Sequence, residues 1–342
     1  MDIKEHILSL AKKVKGRVIL PESLDARILK AAQNLTKDSV ASVILPAQDV
    51  KAVYYAAAAE GVDLSGVEVI QIDRALLNEK KIEAFVCARA KKGMTPEDAL
   101  ALLNNPLYFA MMYLKSGKCD ACVCGAVNDT ADVLRAGIHV VGVAQGFKLI
   151  SSYFLMIPPE TSKFVKEPVL FADCGVNPNP DASGLKDIAA ATISNFQRLF
   201  PEREVNASFL SFSTKGSAKN EMLDKILEAC ALTQKQFEGA KNVNIDGELQ
   251  FDASIIPGIA KRKAPSSATA GKTNVFIFPD LNVGNICYKM AERLGNFQAL
   301  GPIIQGLSLP VSDLSRGCSA QDVYFLSAIM IINGENGGKE GS

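Results

Sequence analysis

The chain has 342 residues, 48% of them apolar and 22% charged, and its 37 basic and 37 acidic side chains give no formal net charge. This is the composition of an ordinary globular protein, long enough that two domains are the expectation, and it offers no basic surface for a nucleic acid. The longest apolar run, Val323 to Ile332, contains Ser327 and is far too short to span a bilayer, so no membrane is expected as a partner.

The N-terminus carries acids and lacks a signal-peptide core, while Ile3, Ile7, Leu10 and Val14 fall at the spacing of an amphipathic helix. Short β-rich runs then alternate with helical ones. Strands are predicted at Arg17 to Leu20, Ala41 to Leu45, Val67 to Ile72 and Ala121 to Val127. Helices are predicted at Asp25 to Leu35, Val50 to Glu60, Lys80 to Ala90 and Leu107 to Lys115. Another opens at Thr95-Pro96-Glu97-Asp98, with threonine as N-cap, proline at N1 and acids in the first turn. This βαβα rhythm predicts a parallel sheet covered by helices on both faces.

Past Val143 the rhythm changes. Leu149 to Ile157 and Val169 to Asp173 read as neighbouring strands around a Pro-Pro-Glu-Thr-Ser turn, followed by an Asn- and Pro-rich loop and a helix from Leu185 to Leu199. A strand at Asn206 to Phe212, a helix at Asn220 to Phe237, a strand at Phe276 to Phe278 and a helix at Asn285 to Leu294 follow. Disorder is expected for the tail from Asn333 to Ser342.

Several sites are absent from the sequence. The two histidines, His6 and His139, give a histidine triad little to work with. The segment A-T-A-G-K-T ending at Thr273 has Ser266 where a phosphate loop needs its first glycine, and no G-x-G-x-x-G follows a strand. Eight scattered cysteines fit reduced thiols, hence a cytoplasmic chain, and the Cys119, Cys122 and Cys124 cluster reads as buried core, with no metal expected.

What remains is arginine beside loops: Arg89, Arg135, Arg293 and Arg316. Each taken singly reads as a surface salt-bridge partner, yet a guanidinium suits phosphate oxygens and keeps its charge at any working pH. The stretch L-P-V-S-D-L-S-R-G-C-S-A-Q-D, Leu309 to Asp322, delivers Ser315 and Arg316 to a helix start. Its Ser319 and Asp322 have the spacing of a capping box. A well-capped surface turn is the plain reading, and an anion site is the functional one.

That stretch resembles the phosphate acetyltransferase (phosphotransacetylase) family. So do V-I-L-P-E at Val18 to Glu22, G-A-V-N-D-T-A-D-V-L-R at Gly125 to Arg135, F-A-D-C-G-V-N at Phe171 to Asn177, S-T-K-G-S-A at Ser213 to Ala218 and F-P-D-L-N-V-G-N-I at Phe278 to Ile286. The resemblance implies two α/β/α domains with mainly parallel sheets, similar to the isocitrate/isopropylmalate dehydrogenase-like fold, with the active site in the interdomain cleft. Domain I would comprise 1–148 plus 302–342, and domain II, inserted, 149–301. It implies reversible acetyl transfer between acetyl phosphate and coenzyme A in acetate metabolism, by direct thiolate attack in a ternary complex. Coenzyme A is then a substrate, no cofactor is tightly bound, and the enzyme is a cytoplasmic homodimer.

Carried over, the resemblance makes Ser315, Arg316 and Asp322 catalytic, with Asp322 taking the thiol proton. It assigns Arg89, Arg135 and Arg293 to coenzyme A or phosphate. An ordinary aspartate and thiol differ by about 4.6 pK units, or about 6 kcal/mol, so desolvation of the base or stabilisation of the thiolate by arginine is required. A pure helix cap remains the alternative for Asp322. Phosphate butyryltransferase or another acyl-phosphate specificity is the nearest functional alternative. A metal- and NAD(P)-dependent decarboxylating dehydrogenase would need a magnesium carboxylate cluster that the sequence does not offer, and a non-catalytic coenzyme A binding protein is the third.

Overall fold

In the computed structural model, residues 3–334 are described, and they form two compact units: residues up to Gln145 together with those from Leu307, and Gly146–Gly306. The tail expected to be disordered starts at Asn333, but Asn333 and Gly334 still belong to the last helix, where Asn333 is buried; the rest of the tail lies outside the described residues.

The first unit runs α1 (Ile3–Val14), β1 (Arg17–Ile19), α2 (Ala26–Lys37), β2 (Ser42–Ala47), α3 (Val50–Ala59), β3 (Glu68–Gln71), α4 (Glu79–Ala90), α5 (Pro96–Leu102), α6 (Pro106–Lys115), β4 (Ala121–Cys124) and α7 (Thr130–Ala136). In the second unit follow β5 (Ser151–Ile157), β6 (Val169–Ala172), α8 (Ala182–Leu199), β7 (Val205–Leu210), α9 (Asp224–Gln236), β8 (Val243–Leu249), α10 (Phe251–Ile255), α11 (Pro257–Lys263), β9 (Val275–Ile277), α12 (Leu281–Gly295) and β10 (Gln298–Gln305). Back in the first unit, β11 (Val311–Asp313) and α13 (Ala320–Gly334) complete the chain.

The first sheet has the order β11-β4-β1-β2-β3 with every pair parallel, as the βαβα rhythm predicts. Strand β4 is buried at all four residues. Cys122 and Cys124 join the core under α6 with Phe109, Met111 and Val311, so by strand alternation Ala121 and Val123 face α13 on the other side. Helix starts follow their caps. The Asp25 carboxylate accepts the Arg27 N–H, and Asn105 accepts the Leu107 N–H just before Pro106 at N1. Thr95 caps α5 in the predicted way.

The second sheet, β10-β5-β6-β9-β7-β8, is mixed: β5 runs antiparallel to both neighbours, and the rest are parallel. Its core stacks Phe171 edge-on against Phe276 and Phe278, both at 5.1 Å. Helices α8 and α12 open earlier than Leu185 and Asn285, because Asp181 and Asp280, at the ends of proline-rich loops, act as N-caps. Helix α9 opens at Asp224 rather than Asn220, after a single 3₁₀ turn, and β7 ends at Leu210, short of Phe212. Sequence reading passes over β8, whose V-N-I-D-G-E-L carries acids, and β10, interrupted by Gly301-Pro302. Among the described residues no helix is long and apolar enough to cross a membrane.

Candidate active site

In the first unit, the loops leaving the C-terminal ends of three adjacent strands, β1, β4 and β11, are tied into one cluster. Such ends are where open parallel sheets place their sites. Glu22, buried after β1, is the first knot. Its carboxylate accepts the backbone N–H groups of Gly125, Ala126, Val127 and Asn128 at 2.8–3.1 Å, and the Asn128 side-chain amide at 2.8 Å. A carboxylate with that many donors fixes the loop after β4 as a rigid collar. Beside this loop a cavity of about 450 Å³ is lined by Glu22, Ser23, Leu24, Pro106, Val127 and Asn128 among others.

Arg27 is the second knot. Its guanidinium pairs with Asp25 at 2.8 Å, and donates to the carbonyls of Ala126 at 2.7 Å, Arg316 at 2.6 Å and Cys318 at 3.2 Å. One side chain therefore bridges all three loops, and its bonds hold the Asp25 carboxyl below the usual range. The Ser315–Arg316 turn is shaped by the Gly317 N–H, which donates to Ser315 Oγ at 3.2 Å. The Arg316 guanidinium reaches Asp129 Oδ1 at 2.8 Å, and both side chains stand well exposed. Asp129 occupies the N-cap position of α7 but makes no side-chain cap bond there, so its carboxylate serves the arginine instead. Cys318 is buried against Arg27, and burial pushes its thiol up.

Asp322 forms the capping box that its spacing predicts. Oδ2 accepts both the N–H and the hydroxyl of Ser319 at 2.8 Å, while Ser319 Oγ accepts the Asp322 N–H at 3.2 Å. Neither carboxylate bond uses Oδ1.

The last residue of β11, Asp313, is fully buried and was given no role in the sequence reading, although D-L-S-R contains it. Oδ2 accepts the hydroxyl of Thr130 at 2.6 Å, and Oδ1 has no hydrogen-bond partner. Desolvation, with Glu22 nearby, pushes the Asp313 carboxyl up to about 6 against the pull of Thr130. Gly125 makes room for this group: a Cβ there would stand 2.1 Å from Asp313 Oδ1.

Arg89 and Arg135 meet around a second, cationic spot. The Tyr108 hydroxyl lies 3.2 Å from His139 Nδ1. Burial and then the charges of Arg89 and Arg135 hold the imidazole below its ordinary pKa, while burial raises Tyr108 against the pull of the same two arginines. Arg89 Nε is buried without a hydrogen-bond partner, and Arg135 pairs with Asp132 at 2.5 Å. Six residues separate Arg135 from Asp129, the partner of Arg316, which is about 9 Å of rise along α7 and its N-cap. Arg89, Arg135, Ser315, Arg316 and Asp322 thus all belong to the first unit.

Arg293 belongs to the second unit, near the end of α12, where its Nε lies 3.5 Å from Glu292. In that unit the Ser213–Ser217 turn closes on Glu248, which accepts from Ser213 Oγ at 2.8 Å and Gly216 N–H at 2.7 Å. A cavity of about 790 Å³ is lined by Leu210, Phe212, Phe251, Phe278, Asn282 and Val283 among others. The residues that sequence reading missed are Glu22, Arg27, Thr130 and Asp313. Three of the four lie inside motifs quoted for the resemblance, but only long-range pairing gives them roles.

The model of the family described as phosphate acetyl/butaryl transferase matches residues 2–331. A phosphate acetyltransferase from Acetivibrio thermocellus is 41% identical over 341 residues, covering 98% of this chain and 99% of that protein. The solved structure of a phosphotransacetylase from Streptococcus pyogenes superposes with a TM-score of 0.88 at 36% identity, covering 98% of this chain and 99% of that one. At the level of fold alone, a putative 4-hydroxythreonine-4-phosphate dehydrogenase from Salmonella typhimurium matches with a TM-score of 0.52 at 12% identity, over 94% of this chain and 98% of that one.

Proposed function

The chain belongs to the phosphate acetyl/butaryl transferase family, and from that premise we propose that it transfers acetyl groups reversibly between acetyl phosphate and coenzyme A. The observation that carries this reading is the tethered turn Ser315–Arg316. The Arg316 cation is held by Arg27 at its carbonyl and by Asp129 at its guanidinium, beside the rigid collar on Glu22, and the neighbouring Ser315 hydroxyl is fixed by the Gly317 N–H. A preorganised guanidinium of this kind stabilises charge as it develops on a tetrahedral intermediate or a departing phosphate.

In this reading the coenzyme A thiolate attacks the acetyl carbonyl directly, with no acyl-enzyme. Ser315 and Arg316 hold the oxyanion and the phosphate. Asp322 takes the thiol proton on Oδ1, its other oxygen being occupied by the capping box. Arg89 and Arg135, whose charges add to burial in lowering the His139 pKa, hold a phosphate of either substrate, and Arg293 serves coenzyme A. Cys318, raised by burial, has a packing role.

The reading extends to a cytoplasmic homodimer. Val283, Ile286, Met290 and Leu294 form one stripe on α12 and are 38–78% exposed, an apolar face suited to a second copy of the chain. Thioester absorbance with coenzyme A and acetyl, propionyl or butyryl phosphate tests the function. Thioester formation fastest with acetyl phosphate supports it. Formation only with longer acyl phosphates makes the chain a different acyl transferase, and none with any of them rejects the reading.

A further inference from the structure

The carboxyl that the reaction leaves unused is Asp313, and the inference about it rests on the function proposed above. Expelling phosphate from acetyl phosphate without a proton would release the trianion, a strongly basic leaving group. A proton must therefore reach the bridging oxygen as the acyl bond breaks, and must leave phosphate when it attacks the thioester in reverse.

We propose that Asp313 and Thr130 form a proton relay that protonates the departing phosphate in thioester synthesis and deprotonates the attacking phosphate in the reverse direction.

Three observations place the relay. Asp313 is fully buried at the end of β11, two residues before Ser315, and its Oδ2 lies 2.6 Å from Thr130 Oγ1, so that a proton carried on Oδ2 has the threonine hydroxyl within hydrogen-bond reach. Thr130 is exposed, and its chain neighbour Asp129 holds Arg316, so the residue bonded to Asp313 stands next in the chain to the partner of the cation assigned to phosphate. The second carboxylate oxygen, Oδ1, has no hydrogen-bond partner, which favours holding a proton over holding a charge.

The charged and titratable groups around Asp313 are few. Glu22 faces it from the loop after β1 with Arg27 paired beyond, the Cys124 thiol faces it from β4, and Asp129 and Arg316 pair beside Thr130. On α13, Asp322 is bound to Ser319. Glu22 is bound by five donors, whereas the Asp313 carboxyl, pushed up to about 6, sits where a general acid works near neutrality.

The protons balance. Asp322 gains the thiol proton. Asp313 gives its proton to Thr130 Oγ1 as the Thr130 proton passes to the bridging oxygen, so acetyl phosphate and thiol become thioester and hydrogen phosphate. Exchange with water then returns Asp322 and Asp313 to their starting states.

The test measures kcat in both directions across pH for wild type, Thr130→Val, Thr130→Ser and Asp313→Asn, with thermal unfolding as the folding control. In wild type, synthesis falls as pH rises through the Asp313 value and the reverse reaction rises through it. Thr130→Val lowers kcat by about 10²–10⁴-fold with KM little changed, Thr130→Ser restores it, and both pH limbs vanish in Thr130→Val and Asp313→Asn. Should Asp313→Asn fail to fold, the Thr130 pair decides. A competent Thr130→Val, or slow variants whose limbs stay in place, overturns the relay alone. A wild type that forms no thioester removes the functional reading, and the relay with it.

Discussion

At the scale of single residues, two aspartates close to the Ser315–Arg316 turn differ in surroundings. Asp322 is half-exposed and shares its charge with a helix start, whereas Asp313 is enclosed with one oxygen unpartnered. The enclosure has a measurable consequence for stability. In the folded chain the Asp313 carboxyl is pushed up to about 6 from an ordinary 3.8, so between those values the folded chain keeps a proton that the unfolded chain has lost. Its stabilising contribution is complete below the unfolded value and disappears as pH rises through 6. Asp25, held down by Arg27, works in the opposite sense, so the informative quantity is a difference between two proteins. Chemical denaturation of wild type and Asp313→Asn from acid to neutral pH should show wild type losing about 3 kcal/mol relative to the variant as pH rises. Parallel stability curves would contradict the burial argument.

At the scale of elements, the ends of β4 and β11 are fitted to each other through a missing side chain. Gly125 has φ +101°, and an added Cβ would meet Asp313 Oδ1 at 2.1 Å and the Leu314 backbone at 2.6 and 2.8 Å. Backbone cannot move aside cheaply, so Gly125→Ala should cost about 3–5 kcal/mol in denaturant unfolding and also slow turnover. A variant as stable as wild type would mean that the strand ends are looser than described. Helix α12 makes a separate prediction. With Ile286 56% and Leu294 78% exposed, Ile286→Glu with Leu294→Glu should turn a dimer into a folded monomer in analytical ultracentrifugation. A wild type that sediments as a monomer would remove the homodimer.

The sequence was informative where one local cause dominates. Buried parallel strands such as β4 announce themselves as short apolar runs, and Thr95-Pro96 and Ser319-x-x-Asp322 announce their helix starts. It was less informative where a polar or broken strand is held by its neighbours. Strand β8, with Asp246 and Glu248, and β10, with Gly301-Pro302, are set by pairing with β7 and β5, which no local pattern records. The candidate site divides in the same way. The arginines and the Ser315–Arg316 turn can be singled out by residue type and motif. The roles of Glu22 and Arg27 arise from contacts with loops 99 to 291 residues away along the chain.

At the scale of the whole molecule, the chain matches its family along nearly its full length, and the question left for experiment is how the reaction is driven. In the proposed mechanism, fixed positive charge stabilising thiolate and phosphate contributes at least as much as the base. The most direct test is steady-state acetyl transfer from acetyl phosphate to coenzyme A by wild type, Arg316→Gln and Asp322→Asn, each checked for folding. The expected result is a loss of about 10²–10³-fold in kcat for Arg316→Gln, at least as large as that for Asp322→Asn. Abolished turnover in Asp322→Asn beside nearly normal turnover in Arg316→Gln would contradict it.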